Sequence, residues 1–307
     1  MKNWRELTRI LLWGLILLIL TGSFVSLMLR DGVSPLVSSP ASIEFVAHPA
    51  DSEAPVVVEE TADNGAVSLS AEDIREIDLS WISGSVEITT ASGNEIDFFE
   101  DYSGASDKRL RYDITDGVLR IRYCEDSGAW GVNLPSKHLT LTLPEKHYAR
   151  LQVDLTSADL AVSGVTTKLF KLVGLSGDAK LDGLQAETLM AETTSGKLTL
   201  TACQAQTLQL DSVSGAVSAE GVFSEITVGS TSGTVKLRAA ELPQHIDVNT
   251  VSGDVTIAAP ENAAFGYSFS SVSGDTHVDL PGASCDKDAS VRVNTVSGSL
   301  RLQPVQP

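Results

Sequence analysis

Apolar and polar residues alternate along most of this chain, and the alternation breaks at regular intervals on a Ser-Gly pair. Four residues before each Ser sits an apolar side chain, with another two residues earlier: Leu208 and Leu210, Ile226 and Val228, Ile246 and Val248, Val291 and Val293. Three and five residues after the Ser the pattern resumes, as in Val217 and Ala219, Val235 and Leu237, Val255 and Ile257, Leu300 and Leu302. A period of two places these side chains on one face of a strand, with Thr, Ser, Asp, Lys and Gln on the other. Each unit therefore reads as strand, tight corner, strand, second turn. Gly gives the corner its backbone freedom, and Ser bonds back to the local backbone.

The copies are Ser176-Gly177, Ser195-Gly196, Ser214-Gly215, Ser232-Gly233, Ser252-Gly253, Ser273-Gly274 and Ser297-Gly298, with Ser157-Ala158 as a degenerate first member. The steps between them are 19, 19, 19, 18, 20, 21 and 24 residues. A fixed period of this kind marks a repeat architecture, because one short unit cannot bury its own apolar face and stacking does it instead. The expected fold is all-β: a β-solenoid of stacked coils of about 19 residues, its Leu, Val, Ile and Ala in columns and its Ser-Gly corners in a ladder along one edge. At about 4.8 Å per rung, eight rungs rise roughly 38 Å.

An outlying copy, Ser83-Gly84 between Ile77/Leu79 and Val86/Ile88, precedes Ser157 by a long gap. Within the gap, Leu110, Tyr112 and Ile114 lead through Asp116-Gly117 to Leu119 and Ile121, the signature of a hairpin. Leu139, Leu141 and Leu143 predict a further strand. Residues 74–150 are thus expected to form a first rung with a hairpin insertion that caps the stack, residues 151–303 the repeats, and residues 304–307 a tail. Pro304 and Pro307 follow Leu300-Arg301-Leu302, so this rung is expected to close the far end and refuse another strand.

Ile10 to Leu29 is an unbroken run of uncharged, mostly Leu and Ile residues, long enough to cross the hydrocarbon core of a bilayer. Lys2, Arg5 and Arg9 precede it, which predicts a short cytoplasmic tail over 1–9 and an uncleaved transmembrane signal-anchor helix over 10–29. Residues 30–73 read as an acidic stalk carrying Pro35, Pro40, Pro49 and Pro55, too poor in apolar residues to fold alone. The bulk of the chain is then expected outside the cell membrane.

The net charge of −18 excludes nucleic acid as a partner class, since phosphates require clustered Lys and Arg. It also argues against passive adsorption to anionic lipid. Cys124, Cys203 and Cys285 have no metal-ligand spacing, and the repeat places Cys203 and Cys285 in different rungs. The histidines (His48, His138, His147, His245 and His277) are scattered, and no nucleophile elbow, phosphate loop or dinucleotide fingerprint is present.

Asp178, Asp254 and Asp275 each follow a corner Gly and fall in one column if the rungs register, although Lys197, Ala216, Thr234 and Ser299 break it. Such carboxylates could serve a glycosidase pair, but exposed corners lack the desolvation that pushes two carboxyl pKa values apart. With Asp211, Asn249 and Asn294 on the approach to the corner, the same edge offers oxygen ligands for Ca²⁺, although Asx residues beside turns usually serve local hydrogen bonds. No catalytic, cofactor-binding or metal-binding residue is assigned, and the Ser-Gly ladder is read as structural.

The phrases Val251-Ser252-Gly253-Asp254-Val255, Val272-Ser273-Gly274-Asp275 and Val296-Ser297-Gly298-Ser299-Leu300 resemble the Val-Ser-Gly-Asp-Val units of the bacterial "putative adhesin" family, also called domain of unknown function 4097. The resemblance covers roughly residues 74 to 303. It implies a β-solenoid attached to a bacterial membrane or exposed at the envelope, with some relatives tied to envelope-stress responses and no catalytic motif to carry over.

Together these readings predict a membrane-anchored, non-enzymatic display protein. Its partner would be extended or cationic: a cell-wall polymer, a cationic peptide or a membrane protein. Two alternatives stand beside it: an accessory of envelope-stress sensing acting through a membrane partner, and a self-assembling scaffold. The oligomeric state is left open.

Overall fold

The computed structural model describes residues 59–60, 65–104, 108–124, 134–285 and 290–305, and all regular structure among them is β-strand. The expected helix at 10–29 and most of the stalk lie outside the described residues. No helix among the described residues is long and apolar enough to cross a membrane.

The repeat region is a stack of parallel strands in which equivalent positions of successive coils pair. Gln185 lies beside Thr166 on one side and Gln204 on the other, and Leu189 lies between Phe170 and Leu208. The apolar positions therefore form continuous buried columns. One runs Leu151, Phe170, Leu189, Leu208, Ile226 and Ile246 before the corners, and one runs Leu160, Ala179, Leu198, Val217, Val235 and Val255 after them. Fully burying each Leu, Val or Ile contributes about 1.5–3 kcal/mol, and stacking achieves this for side chains that a lone coil leaves open.

The corner serines form one ladder. Ser83 pairs with Ser157, Ser157 with Ser176, Ser176 with Ser195, Ser195 with Ser214, Ser214 with Ser232, and Ser232 with Ser252. The stacking contact is what demands glycine here. A Cβ on Gly253 would stand 2.1 Å from the carbonyl oxygen of Gly233, and one on Gly196 would stand 2.0 Å from that of Gly177. Ala158 escapes this because the strand His147–Ser163 runs straight through its corner and turns the Ala158 methyl into the core. A second ladder of turns follows at Gly164, Gly183 and Ala202, all with positive φ.

Beyond Ser252 the spatial order departs from the chain order. Ser252 pairs with Ser297, and Ser297 in turn pairs with Ser273. The final strands Val291–Ser297 and Leu300–Pro304 insert between the Ser252 rung and the Ser273 rung. The expectation that Leu300-Arg301-Leu302 closes the stack is thus corrected: Pro304 pairs with Ala259 in the interior, and the end rung is Phe265–Ser273 with Thr276–Val278. Composition explains the exchange. Val291, Val293, Leu300 and Leu302 are fully buried apolar occupants of the four core columns, whereas in the end rung Thr276 takes the position of Leu300 and Tyr267, Phe269 and Val278 are only half-buried. Placing the more apolar rung inside buries more surface.

At the opposite end the residues between the Ser83 and Ser157 corners add further strands to the stack. The strand Glu76–Ala91 pairs in parallel with Val118–Arg122 and Lys137–Pro144. Asp116 and Gly117, both at positive φ, turn the hairpin that joins Arg111–Thr115 to Val118–Arg122. The antiparallel strands Glu95–Asp101 and Ala66–Ser70 extend the sheet. The expected stalk thus gives its last residues to the fold, because Val67 and Leu69 alternate onto the core while Ser68 and Ser70 face out.

The cap holds one buried ion pair. Lys137 and Glu100 are both fully buried, with the ammonium between the rings of Trp81 and Tyr123 and donating to the backbone carbonyl of Lys108 at 2.8 Å. Glu100 also accepts from the backbone N–H of Leu110 at 3.1 Å. Burial pulls the Lys137 pKa down, and its bond to Glu100 opposes that shift.

Candidate functional site

The outward-facing column directly after the last apolar column, three residues before each corner Ser, carries the densest chemistry on the stack. In register along it stand Asp154, Val173, Glu192, Asp211, Gly229, Asn249 and Asn294. The period of two turns these residues away from the core, and the parallel register lines them up at about 4.8 Å per rung. The adjacent column adds Gln152, Lys171, Met190, Gln209, Thr227, Asp247 and Arg292.

Neighbouring side chains hold the carboxylates in place. Gln152 donates to Asp154 at 2.8 Å, Gln209 to Asp211 at 3.0 Å, and Asn249 to Asp247 at 2.6 Å. Asp211 leans over Gly229, where a Cβ would meet its Oδ1 at 2.4 Å. Crowding on the flat face desolvates the three carboxylates of the ladder. Burial raises the pKa of Asp154, with Asp78 adding to the rise and Gln152, Lys171 and Arg122 opposing it. Burial likewise raises Glu192, opposed by Lys171 and reinforced by the negative charges of Asp211 and Asp154. Asp211 is raised by burial against its bond from Gln209. The result is a row of carboxyls whose ionised forms are incompletely hydrated, so that an approaching cation favours their ionisation.

The corner carboxylates have a different role. Asp159 accepts the backbone N–H of Asp178 at 2.8 Å, Asp178 accepts that of Lys197 at 2.7 Å, and Asp254 accepts that of Ser299 at 2.9 Å. Each ties its corner to the next rung. Asp178, Asp254 and Asp275 stand in one column, with Lys197, Ala216 and Thr234 between the first two and Ser299, brought by the inserted rung, between the last two.

Of the oxygen ligands for Ca²⁺, Asp211, Asn249 and Asn294 share a column, where Asp211 accepts from Gln209 at 3.0 Å and Asn294 donates to Asn249 at 2.9 Å, while Asp178, Asp254 and Asp275 lie in a separate one. Among the described residues no three acidic, His or Cys side chains converge to hold a metal. Exposed or half-exposed corner serines (Ser157, Ser176, Ser195, Ser214, Ser232, Ser252, Ser273, Ser297) present only a regular edge. His138 is half-exposed beside Ser85, 2.7 Å from its hydroxyl, and His277 is exposed against Asp279. Cys203 is buried in a core column, donating to the carbonyl of Thr201, while Cys285 is exposed in a rung far from it.

Asp154 and Glu192 escaped the sequence reading. The signal was available: once the Ser-Gly frame is set, the position three before each Ser spells Asp, Val, Glu, Asp, Gly, Asn.

A putative adhesin from Bacteroides fragilis is similar to this chain at 12% identity with a TM-score of 0.49, over 78% of this chain and 96% of that one. A "putative lipid binding protein" from Parabacteroides distasonis gives 12% identity and a TM-score of 0.49 over 78% and 96%. A "putative adhesin" from Parabacteroides merdae gives 11% and 0.48 over 78% and 95%. No curated protein matches the chain. The model of the family described as Toastrack DUF4097 matches residues 74–303, and the chain belongs to that family.

Proposed function

We propose that this chain is a membrane-anchored, non-enzymatic display protein. Its β-solenoid binds an extended or cationic partner at the bacterial envelope, in the manner of an adhesin. The observation that carries this reading is the carboxylate ladder of Asp154, Glu192 and Asp211, set in register on a flat, polar, repetitive face. Carboxylates aligned one and two rungs apart suit a partner that repeats along its own length, such as a wall polymer bearing cationic groups or a cationic peptide. Many weak contacts then add up to avidity, and the overall charge of −18 steers a cation toward the protein.

Membrane anchoring rests on the apolar run from Ile10 to Leu29 and the basic residues before it. The experiment is co-sedimentation of the full chain, in detergent, with wall material and separately with membrane vesicles, at low and physiological salt. Salt-sensitive pelleting with wall material supports the proposal. No pelleting with the wall at either salt removes the wall polymer as partner and leaves the cationic peptide as the candidate.

A further inference from the structure

The face that carries the ladder changes character along the stack. Toward the Ser83 corner it is rich in cations. Arg122 pairs with Asp78 at 3.2 Å, and Arg150 donates to the side chain of Gln152, which in turn donates to Asp154 at 2.8 Å. Lys171 follows on the rung between Asp154 and Glu192. Beyond it, residues 185–195, 204–214, 222–232 and 245–252 lead to their corners without a Lys or Arg. They present Glu192, Asp211, Glu225 and Asp247, and the next cation is Arg292, in register with Asp247.

Lys171 is placed to serve two carboxylates. Its rung breaks the carboxylate row, since Val173 stands in register between Asp154 and Glu192 and offers no polar group. Lys171 lies in the adjacent column, between the uncharged Gln152 and Met190. Each carboxylate is one rung across and two residues along from it, a Cα diagonal of roughly 8 Å that lysine and acidic side chains are long enough to close. Lys171 opposes the rise in pKa of both Asp154 and Glu192, whereas the Asp211 carboxyl is opposed only by its bond from Gln209.

We propose that Lys171 determines where a cationic peptide binds this face: it is the protein's own cation for Asp154 and Glu192, and it directs the basic groups of the peptide to the stretch from Asp211 to Asp247. An incoming ammonium near Asp154 meets a like charge and a carboxylate already served, and both reduce its gain. Over Asp211 and Asp247 it meets neither. These two carboxylates stand two rungs apart, about 10 Å across the strands, with the uncharged Thr227 and Gly229 on the rung between them. That separation suits basic residues about three positions apart in an extended segment. The inference rests on the ladder reading above and assigns the part of the ladder that the partner uses.

Calorimetric titration of the full chain, in detergent at low salt, with a lysine-rich peptide tests it. Asp211→Asn is expected to weaken wild-type binding at least about fivefold and Asp154→Asn less than about twofold. Lys171→Met is expected to tighten binding at least about threefold, and Asp154→Asn added to it should cancel that gain. Lys236→Met removes an exposed lysine from the strand after the corner, on the other flank, and should change affinity less than about twofold. Equal losses in Asp154→Asn and Asp211→Asn overturn the proposal, as does an equal response to Lys171→Met and Lys236→Met. Binding that the combined Asp154→Asn, Glu192→Gln, Asp211→Asn variant retains in full overturns the ladder reading itself, and this inference falls with it. Absence of binding in wild type and Lys171→Met alike does the same.

Discussion

The carbonyl oxygen of Gly177 lies 2.0 Å from the place a Cβ on Gly196 would occupy, one rung above it. The same contact recurs up the corner ladder, so the glycines are fixed by close stacking as much as by backbone conformation. Gly196→Ala adds a methyl with nowhere to go at a φ of 127°. Strain and overpacking each cost about 1–3 kcal/mol, which for a domain of this size lowers the melting temperature by roughly 4–20 °C. Ser195→Ala, at an exposed corner position, is expected to stay within about 0.5 kcal/mol of wild type. Thermal unfolding of the two variants checks the contrast.

Ala202 occupies the second-turn position held by Gly183 and Gly164 in the rungs below, and its φ of 52° is left-handed. Ala202→Gly removes the left-handed penalty of about 1–2 kcal/mol, offset by about 0.4–1 kcal/mol of added freedom in the unfolded chain. A gain of about 0.5–1 kcal/mol is expected, read as a higher midpoint in urea at unchanged slope.

Removing Lys137 strands the fully buried Glu100 carboxylate beneath the cap. Lys137→Met is expected to cost about 3–5 kcal/mol, the penalty of an uncompensated buried charge. Lys137→Met with Glu100→Gln should recover much of the loss. Equal destabilisation of the single and double variants would show that the ammonium serves the cap mainly by packing against Trp81 and Tyr123.

The carboxyls of Asp154, Glu192 and Asp211 are raised by burial. A carboxyl with a folded pKa above its unfolded value holds its proton more tightly in the fold. It therefore favours folding below the unfolded value of about 4, and that contribution is lost as pH rises through the folded pKa. These groups make the stack less stable toward neutral pH. The triple variant Asp154→Asn, Glu192→Gln, Asp211→Asn should melt higher than wild type at pH 7 and vary less between pH 4 and pH 7. A melting profile parallel to wild type would contradict the desolvation of the ladder.

Much of this fold is legible because a parallel stack repeats one local problem. The alternation around Ser195 and Ser214 fixes which residues face inward, and Asp116-Gly117 marks the hairpin without reference to any distant residue. The insertion of the Ser297 rung beneath Ser273 was not legible from spacing, since steps of 21 and 24 residues suit either order. It is settled by a competition for burial between Val291/Val293 and Tyr267/Phe269. The buried pair of Glu100 and Lys137 escaped for a similar reason: neither residue sits in a motif, and only the folded cap brings them together. The carboxylate ladder is legible only once the corner sets the frame, since Asp154, Glu192 and Asp211 belong to no motif of their own and share only a constant distance from the corner Ser.

The central claim is that this ladder binds a cationic partner. The most direct measurement is calorimetric titration of the full chain, in detergent, with an amphipathic lysine-rich peptide at low and high salt, for wild type and the triple ladder variant. Wild-type binding is expected to fall steeply with salt and to weaken at least tenfold in the variant. Binding of equal strength in the two proteins, or binding indifferent to salt, would contradict it.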